Sequence, residues 1–159
     1  MHLKHLTRDF SWVVDVGPLL PKQRLLFYIS DGIHHEDDVA AMERVISGVA
    51  ASRGWVVGPP VFVNESVEDD EAGSLRTVGG FIDMYSGLPP WGDVLSREID
   101  RAHLSEVKAI IGALAEFSQR TAHEIAFELD GAQIGWIEKG VVGRSLREGL
   151  IEEWEKTLR

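Results

Sequence analysis

The sequence contains no cysteine, and this absence excludes several kinds of site at once. A chain without thiols has no disulfide, no thiolate zinc centre and no cysteine nucleophile. It also has no apolar run of the roughly 20 residues that a bilayer-spanning helix needs. The first residues, 1–12, lack the apolar segment of a secretory signal. We therefore expect a cytoplasmic protein that does not act at a membrane.

Basic residues are scarce relative to acidic ones. The chain has 16 Lys and Arg against 26 Asp and Glu, which gives a formal net charge of −10. This charge repels phosphate backbones, and the sequence has no basic stripe with interleaved aromatic residues, so we expect no nucleic-acid partner. It attracts basic partners, although the need for solubility alone would explain the same balance.

The familiar catalytic motifs are also missing. No glycine-rich stretch has phosphate-loop or dinucleotide spacing, and there is no nucleophile elbow of the G-x-S-x-G type. Ser105 and Lys108 have the S-x-x-K spacing of one class of serine nucleophile, but the partner motifs of that class are absent. Ser105 fits better as a helix N-cap, and we predict no cofactor.

The hydrophobic patterns predict an α+β fold in a single globular domain, residues 1–159. The strongest hairpin pattern is at residues 123–140, just before the last predicted helix. Apolar residues alternate on both sides of its turn at Asp130-Gly131. Short links between strands favour a mainly antiparallel sheet with about three helices packed on one face. The predicted strands are Ser11–Gly17, Gln23–Ser30, Trp55–Val63 (broken by two prolines), Leu75–Tyr85 and the hairpin His123–Gly140; the predicted helices are 36–52, 94–119 (with a possible break near His103 and Leu104) and 145–158; Asn64–Ser74 is predicted as a loop.

The stretch ISDGIHHEDDVA, residues 29–40, concentrates groups that can bind a metal. His34, His35 and Asp38 are suitable ligands for zinc or a similar cation, but a site needs further ligands, and none is adjacent in sequence. Acidic residues are also favoured in the first turn of a helix, where free N–H groups and the helix dipole stabilise them. We interpret the stretch as a helix start and keep the metal site as the alternative.

Two groups of residues suit a protein-binding surface. One is an acidic loop followed by a tryptophan in GLPPWGD, and the other is a pair of acids on the predicted hairpin. Exposed tryptophans ringed by charge are typical of interface hot spots, whereas Trp136 and Trp154 fall on apolar patterns that predict core packing. The candidate partner-binding residues are Glu68, Asp69, Asp70, Glu71, Trp91, Glu124 and Glu128.

Two C-terminal segments carry a family resemblance: FELDGAQIGWIEKG (127–140) and LREGLIEEWEKTL (146–158). In size and style the chain resembles bacterial polymorphic-toxin immunity proteins, including those of contact-dependent inhibition systems. The resemblance implies a non-enzymatic inhibitor that neutralises a cognate basic toxin, often a nuclease, by tight one-to-one binding; no functional residue carries over from it. The alternatives are a metal-dependent hydrolase or small-molecule-binding enzyme using His34, His35 and Asp38, and a subunit of an obligate oligomer, and the oligomeric state stays open.

Overall fold

A computed structural model describes residues 22–33, 35–71, 73–85 and 95–159. The predicted strand Ser11–Gly17 lies outside these ranges. In chain order the elements are β1 (Lys22–Ile29), α1 (Glu36–Ala51), β2 (Val61–Asp69), β3 (Gly73–Tyr85), α2 (Arg97–Thr121), β4 (Ile125–Leu129), β5 (Ala132–Glu138), β6 (Val141–Val142), a π-helical segment (Ser145–Glu152) and α3 (Glu153–Thr157).

The described strands form one six-stranded sheet in the order β2-β3-β1-β4-β5-β6, with antiparallel pairing between all neighbours. This confirms the predicted α+β class. The two central strands, β1 and β4, are far apart in sequence, so the sheet joins the two halves of the chain. Of the described strands, β2 lies at one edge of the sheet and the short β6 at the other.

The core lies between the helices and one face of the sheet. Leu25, Phe27 and Ile29 of β1 are at most 4% exposed, whereas the alternate residues Leu26 and Tyr28 are only partly buried. The apolar stripe of α2 packs against the buried face, as its helical periodicity predicts. Burying each large apolar side chain contributes roughly 1.5–3 kcal/mol, so this face supplies most of the stabilising free energy. We call the opposite side the open face of the sheet.

Two adjacent glycines in β3 allow the central strands to pack closely. A β-carbon on Gly79 would overlap the carbonyl oxygen of Phe27 and lie 2.6 Å from the α-carbon of Tyr28. A β-carbon on Gly80 would lie 2.8 Å from the carbonyl oxygen of Val61. Both glycines are therefore positions where neighbouring backbones approach closely.

The C-terminal hairpin turns at the predicted residues. Asp130 and Gly131 have φ values of 50° and 86°, the left-handed pair that a tight two-residue turn requires. The prediction that Trp136 packs in the core is wrong, because it is 41% exposed. Trp136 alternates with the fully buried Ile137, so strand geometry turns the indole to the open face.

Three predicted boundaries are also wrong. Residues 64–74 are not a loop: β2 continues to Asp69 and β3 begins at Gly73. This hairpin end is exposed on both faces, so no alternation of apolar residues marks it as strand. Strand structure begins at Val61 rather than Trp55, after the two prolines. Helix α2 begins after its N-cap Ser96 and runs through the possible break at His103, so Ser105 lies inside the helix and is not an N-cap.

Candidate partner-binding surface

Residues 64–71 and 73–78 form a two-stranded projection that we call the acidic arm. Strand β3 pairs with β1 only from Gly79 onward, whereas its earlier residues pair with β2 alone among the described strands. The arm therefore extends past the central sheet. Its sequence carries one base, Arg76, and five acids: Glu65, Glu68, Asp69, Asp70 and Glu71. Negative charge is thus concentrated on the part of the β2–β3 pair that continues beyond β1.

Arg76 fixes the base of the arm to the first turn of α1. Its guanidinium donates to Glu36 at 2.8 Å and to Asn64 Oδ1 at 3.0 Å. The ion pair with Glu36 neutralises the only positive charge in the sequence of the arm. The five acids of the arm therefore dominate its electrostatic field. An exposed pair of this kind contributes little to stability, and its main effect is to orient the arm.

The large apolar side chains that remain exposed belong to the open face. Pairing Val61 with Phe81, and Val67 with Leu75, places these residues on the face that carries Leu26. The pairing of β4, β5 and β6 places Trp136 and Val141 there too. Their exposed fractions are 48% for Val61, 59% for Val67, 48% for Leu75, 41% for Trp136 and 65% for Val141. Single exposed apolar residues are ordinary on a protein surface; these five share one face of the sheet, and Val67 and Leu75 are directly paired on the arm.

A groove of about 640 Å³ lies on the open face where the arm leaves the sheet. Its walls include Leu75 and Thr77 of the arm, Tyr28 of β1 and Glu128 of β4. Tyr28 donates a hydrogen bond to Glu128 Oε2 at 2.6 Å. This bond, together with burial and the nearby negative charge, raises the pKa of Tyr28 to about 12. The groove wall therefore combines apolar surface with a fixed carboxylate.

The predicted partner-binding residues divide into three groups. Glu68, Asp70 and Glu71 are exposed on the arm, and Asp69 ends β2. Glu128 borders the same groove as the arm, so the structure joins two candidate regions that are far apart in sequence.

Glu124 is not among the residues that line the groove. Glu124 is half-buried just before β4, where its carboxylate accepts a hydrogen bond from Ser30 Oγ at 2.7 Å. Trp91 lies outside the described residues.

The histidine-rich stretch begins α1, as predicted. Helix α1 starts at Glu36 with three acids in its first turn, and the backbone N–H of His35 donates to Asp38 Oδ2 at 3.2 Å. His34 lies outside the described residues. Within the described ranges, no group of three or more potential ligand side chains is arranged to hold a metal ion.

A histidine that the sequence reasoning did not connect to this stretch lies beside Asp38. His123 Nδ1 is 2.9 Å from Asp31 Oδ1, and Nε2 is 3.1 Å from Asp38 Oδ1. The ring is 7% exposed and stacks on Phe117. Burial lowers the pKa of His123, but the hydrogen bonds to the two carboxylates outweigh it, so the pKa is raised.

Because both ring nitrogens face carboxylate oxygens, the ring can donate to both only as an imidazolium. We call this arrangement the His123 bridge. It ties the end of β1 and the start of α1 to the α2–β4 connection. No local signal could have revealed it, since His123 is 85 or more residues away from both carboxylates.

Helix α2 buries a second histidine with a carboxylate. His103 Nε2 accepts the backbone N–H of Tyr85 at 3.1 Å, which leaves Nδ1 to donate to Glu106 at 2.9 Å. The other oxygen of Glu106 accepts the backbone N–H of Val56 at 2.8 Å. The side chains of His103 and Glu106 are at most 1% exposed, and each provides a hydrogen-bond partner for the other. The geometry therefore favours a structural role.

A third buried polar contact fixes the C-terminal helix. Trp154 is 3% exposed, which confirms its predicted core position, and its indole N–H donates to Asp100 Oδ1 at 2.6 Å. Burial raises the pKa of Asp100 above its ordinary value. Arg97 and Arg101 donate to the carbonyl oxygen of Leu158, so the chain end is held against the start of α2.

Comparisons with protein-family models, with curated proteins and with solved structures gave no match to this chain. Within the described ranges, none of the helices combines the length and the hydropathy that a bilayer crossing requires.

Proposed function

We propose that this protein is a non-enzymatic inhibitor, of the immunity-protein kind, that binds a basic protein toxin through the acidic arm and the open face. The observation that carries the proposal is the arm itself. It places five acids and one paired base at the protruding end of the sheet, next to exposed Val67 and Leu75.

The arm suits a partner whose active site is a basic cleft, such as that of a nuclease. A protruding two-stranded ribbon can enter a cleft that a flat surface cannot. Its charge would steer the encounter and then compete with an anionic substrate for the same cationic side chains. The apolar residues of the open face would supply the dry contact that slows dissociation.

The experiment begins with the tagged protein, purified from its native cells through washes of rising salt. A basic partner retained at low salt would be identified, produced separately and tested for toxicity. The proposal expects this chain to suppress that toxicity at a one-to-one ratio. A partner whose activity is unaffected by a saturating amount of this protein would contradict the proposal.

Charge variants then test the role of the arm. Replacing Glu68, Asp69, Asp70 and Glu71 with serine should slow association by roughly 10- to 100-fold at low salt and flatten its salt dependence. The matched control replaces four exposed acids on the helical side of the molecule, Glu43, Glu98, Glu116 and Glu152, with serine. An equal effect of the two variants would attribute binding to net charge and remove the arm from the mechanism.

A further inference from the structure

Strand β3 loses its neighbour on one side where the arm begins. After Ile29 the chain leaves the sheet and turns through residues 30–33 toward α1, so the last pair of β1 and β3 is Tyr28 with Gly79. Residues 73–77 of β3 have no strand beside them on that edge among the described residues. At roughly 3.4 Å per residue this edge is about 17 Å long.

The hydrogen-bond alternation shows which edge each β1 residue faces. The backbone N–H of Ser30 donates to the carbonyl oxygen of Glu124 at 2.9 Å, so Ser30 and the other even-numbered residues of β1 face β4. The odd-numbered residues therefore face β3. Phe27 pairs with Gly80, which means that Gly80 directs its backbone groups toward β1.

The same alternation continues into the arm. Even-numbered residues of β3 face the β1 side, so Arg76 and Ser74 direct their peptide N–H and C=O groups to the edge without a strand. Odd-numbered residues face β2, where Thr77 pairs with Glu65. On β2, Ser66 must then face the opposite, outer edge of the arm. The two edges can thus be tested separately.

The groove lies alongside this β3 edge. Leu75, Arg76 and Thr77 line one side, and residues 30–33 with Tyr28 and Glu128 line the other. The groove has a volume of about 640 Å³, which leaves space beside residues 75–77 for an added extended segment. Alternate side chains of such a strand would face Tyr28 and Leu75 on the open face.

We infer that an extended cationic segment of the partner adds to β3 as a strand in this groove, pairing with Ser74 and Arg76. The inference rests on the proposed function and specifies how the partner is recognised. Charge selects the occupant: the five acids of the arm favour lysine or arginine beside the strand. A second copy of this chain is disfavoured, because it would bring another five acids against the first.

The test uses a short synthetic peptide of alternating lysine and valine. The expected result is saturable binding to the wild-type protein, with slowed amide hydrogen exchange at Ser74 and Arg76. The same peptide N-methylated at alternate residues keeps its charge but loses one edge of donors, and it should bind roughly tenfold more weakly. Equal binding of both peptides, or no binding of either, would overturn the inference.

Two proline variants locate the edge. Ser74→Pro removes an N–H that faces the groove and should weaken peptide binding about tenfold, whereas Ser66→Pro removes one from the outer edge and should leave binding unchanged. The reverse result would assign the peptide to the outer edge and overturn the inference. If the protein forms a concentration-dependent dimer that Ser74→Pro abolishes, a second copy of the chain occupies the groove. That result would also overturn the inference.

The peptide measurements do not depend on the identity of the partner. If the peptide does not bind but the protein still suppresses a toxin, strand addition is wrong and the proposed function stands. If the peptide binds through Ser74 and no toxin is suppressed, the groove is a strand-binding site in a protein of another function.

Discussion

Replacing His123 should destabilise the protein, and the loss should depend on pH. The ring donates to Asp31 at 2.9 Å and to Asp38 at 3.1 Å, and each charge-assisted bond is worth about 1.5–3 kcal/mol. The Asp31 side chain is 39% exposed, so water would replace the lost hydrogen bond when the ring is removed. We therefore take the contribution of this bond from the low end of that range. With the lost packing on Phe117, we expect His123→Ala to lower the free energy of unfolding by roughly 3 kcal/mol.

The direction of the pH dependence follows from the raised pKa of His123. A group whose pKa is higher in the folded state stabilises fully below its unfolded value, about 6.5, and loses that contribution as the pH rises through the folded value. The stability gap between wild type and His123→Gln should therefore narrow as the pH is raised from about 6 to 9. Urea unfolding at several pH values measures this gap, and the glutamine variant retains a donor without a charge.

Two outcomes would refute this reasoning. If the free energies of unfolding of the wild type and His123→Gln differ by the same amount at every pH tested, the ring of His123 does not change its charge in that range. If Asp31→Asn and Asp38→Asn cost as much in the His123→Gln background as in the wild type, the two carboxylates are not coupled to the ring.

Three further predictions concern stability, each measured by urea unfolding. Glu106→Ala should cost roughly 3 kcal/mol because it leaves the ring N–H of His103 and the backbone N–H of Val56 without an acceptor; Glu106→Gln keeps one acceptor but turns an NH2 group toward the other donor, so it should recover only part of that loss, and a loss below about 1 kcal/mol for Glu106→Ala would contradict the role of the carboxylate as the acceptor of both bonds. Gly79→Ala should cost about 1–3 kcal/mol through overlap with β1, whereas Gly112→Ala, exposed within a helix and with open space around it, should stabilise by up to about 1 kcal/mol; similar signs for both would show that β1 and β3 can separate. Trp154→Phe should cost about 1–2 kcal/mol by removing the bond to Asp100, while Trp136→Ser should change stability by less than about 0.5 kcal/mol, and a large loss at Trp136 would place that indole in the core.

The parts of the fold that sequence reasoning predicted are those in which one face is buried. Strand β1 and helices α1 and α2 show apolar residues at strand or helix spacing, because each presents a single face to the core. The turn at Asp130-Gly131 was predictable for a local reason, since a tight hairpin requires left-handed backbone at both positions.

The strand structure of the acidic arm was not predicted, because the rule of one buried face does not apply to it. Strand β2 is an edge strand, and most of its residues beyond Val63 are exposed, so polar side chains occupy both faces and no period appears. The arm is identified as strand structure by the backbone pairing of β2 with β3, and this pairing is a property of the folded sheet. The acidic composition was visible in the sequence, but the protruding geometry was not.

The contacts of His123 were hidden for a different reason. The stretch at residues 29–40 suggested metal ligands because its acids and histidines are close in sequence. In the folded chain, Asp38 contacts His123 instead, and Asp31 lies against the other ring nitrogen. Local clusters of ionisable residues thus do not show which distant group they pair with, and only the topology of β1 and β4 brings these three together.

The division of the sheet into a buried and an open face makes the proposed function testable without confusing binding with folding. The acids at positions 68, 70 and 71 are exposed and lie at the end of the arm, away from the helices that cover the core. Exposed carboxylates near one another repel, so replacing them with serine should leave the free energy of unfolding unchanged or slightly higher. Substitutions in the core, such as at Phe127, would reduce binding only by unfolding the protein. A four-acid variant that keeps its stability but loses its partner would therefore report on the surface alone.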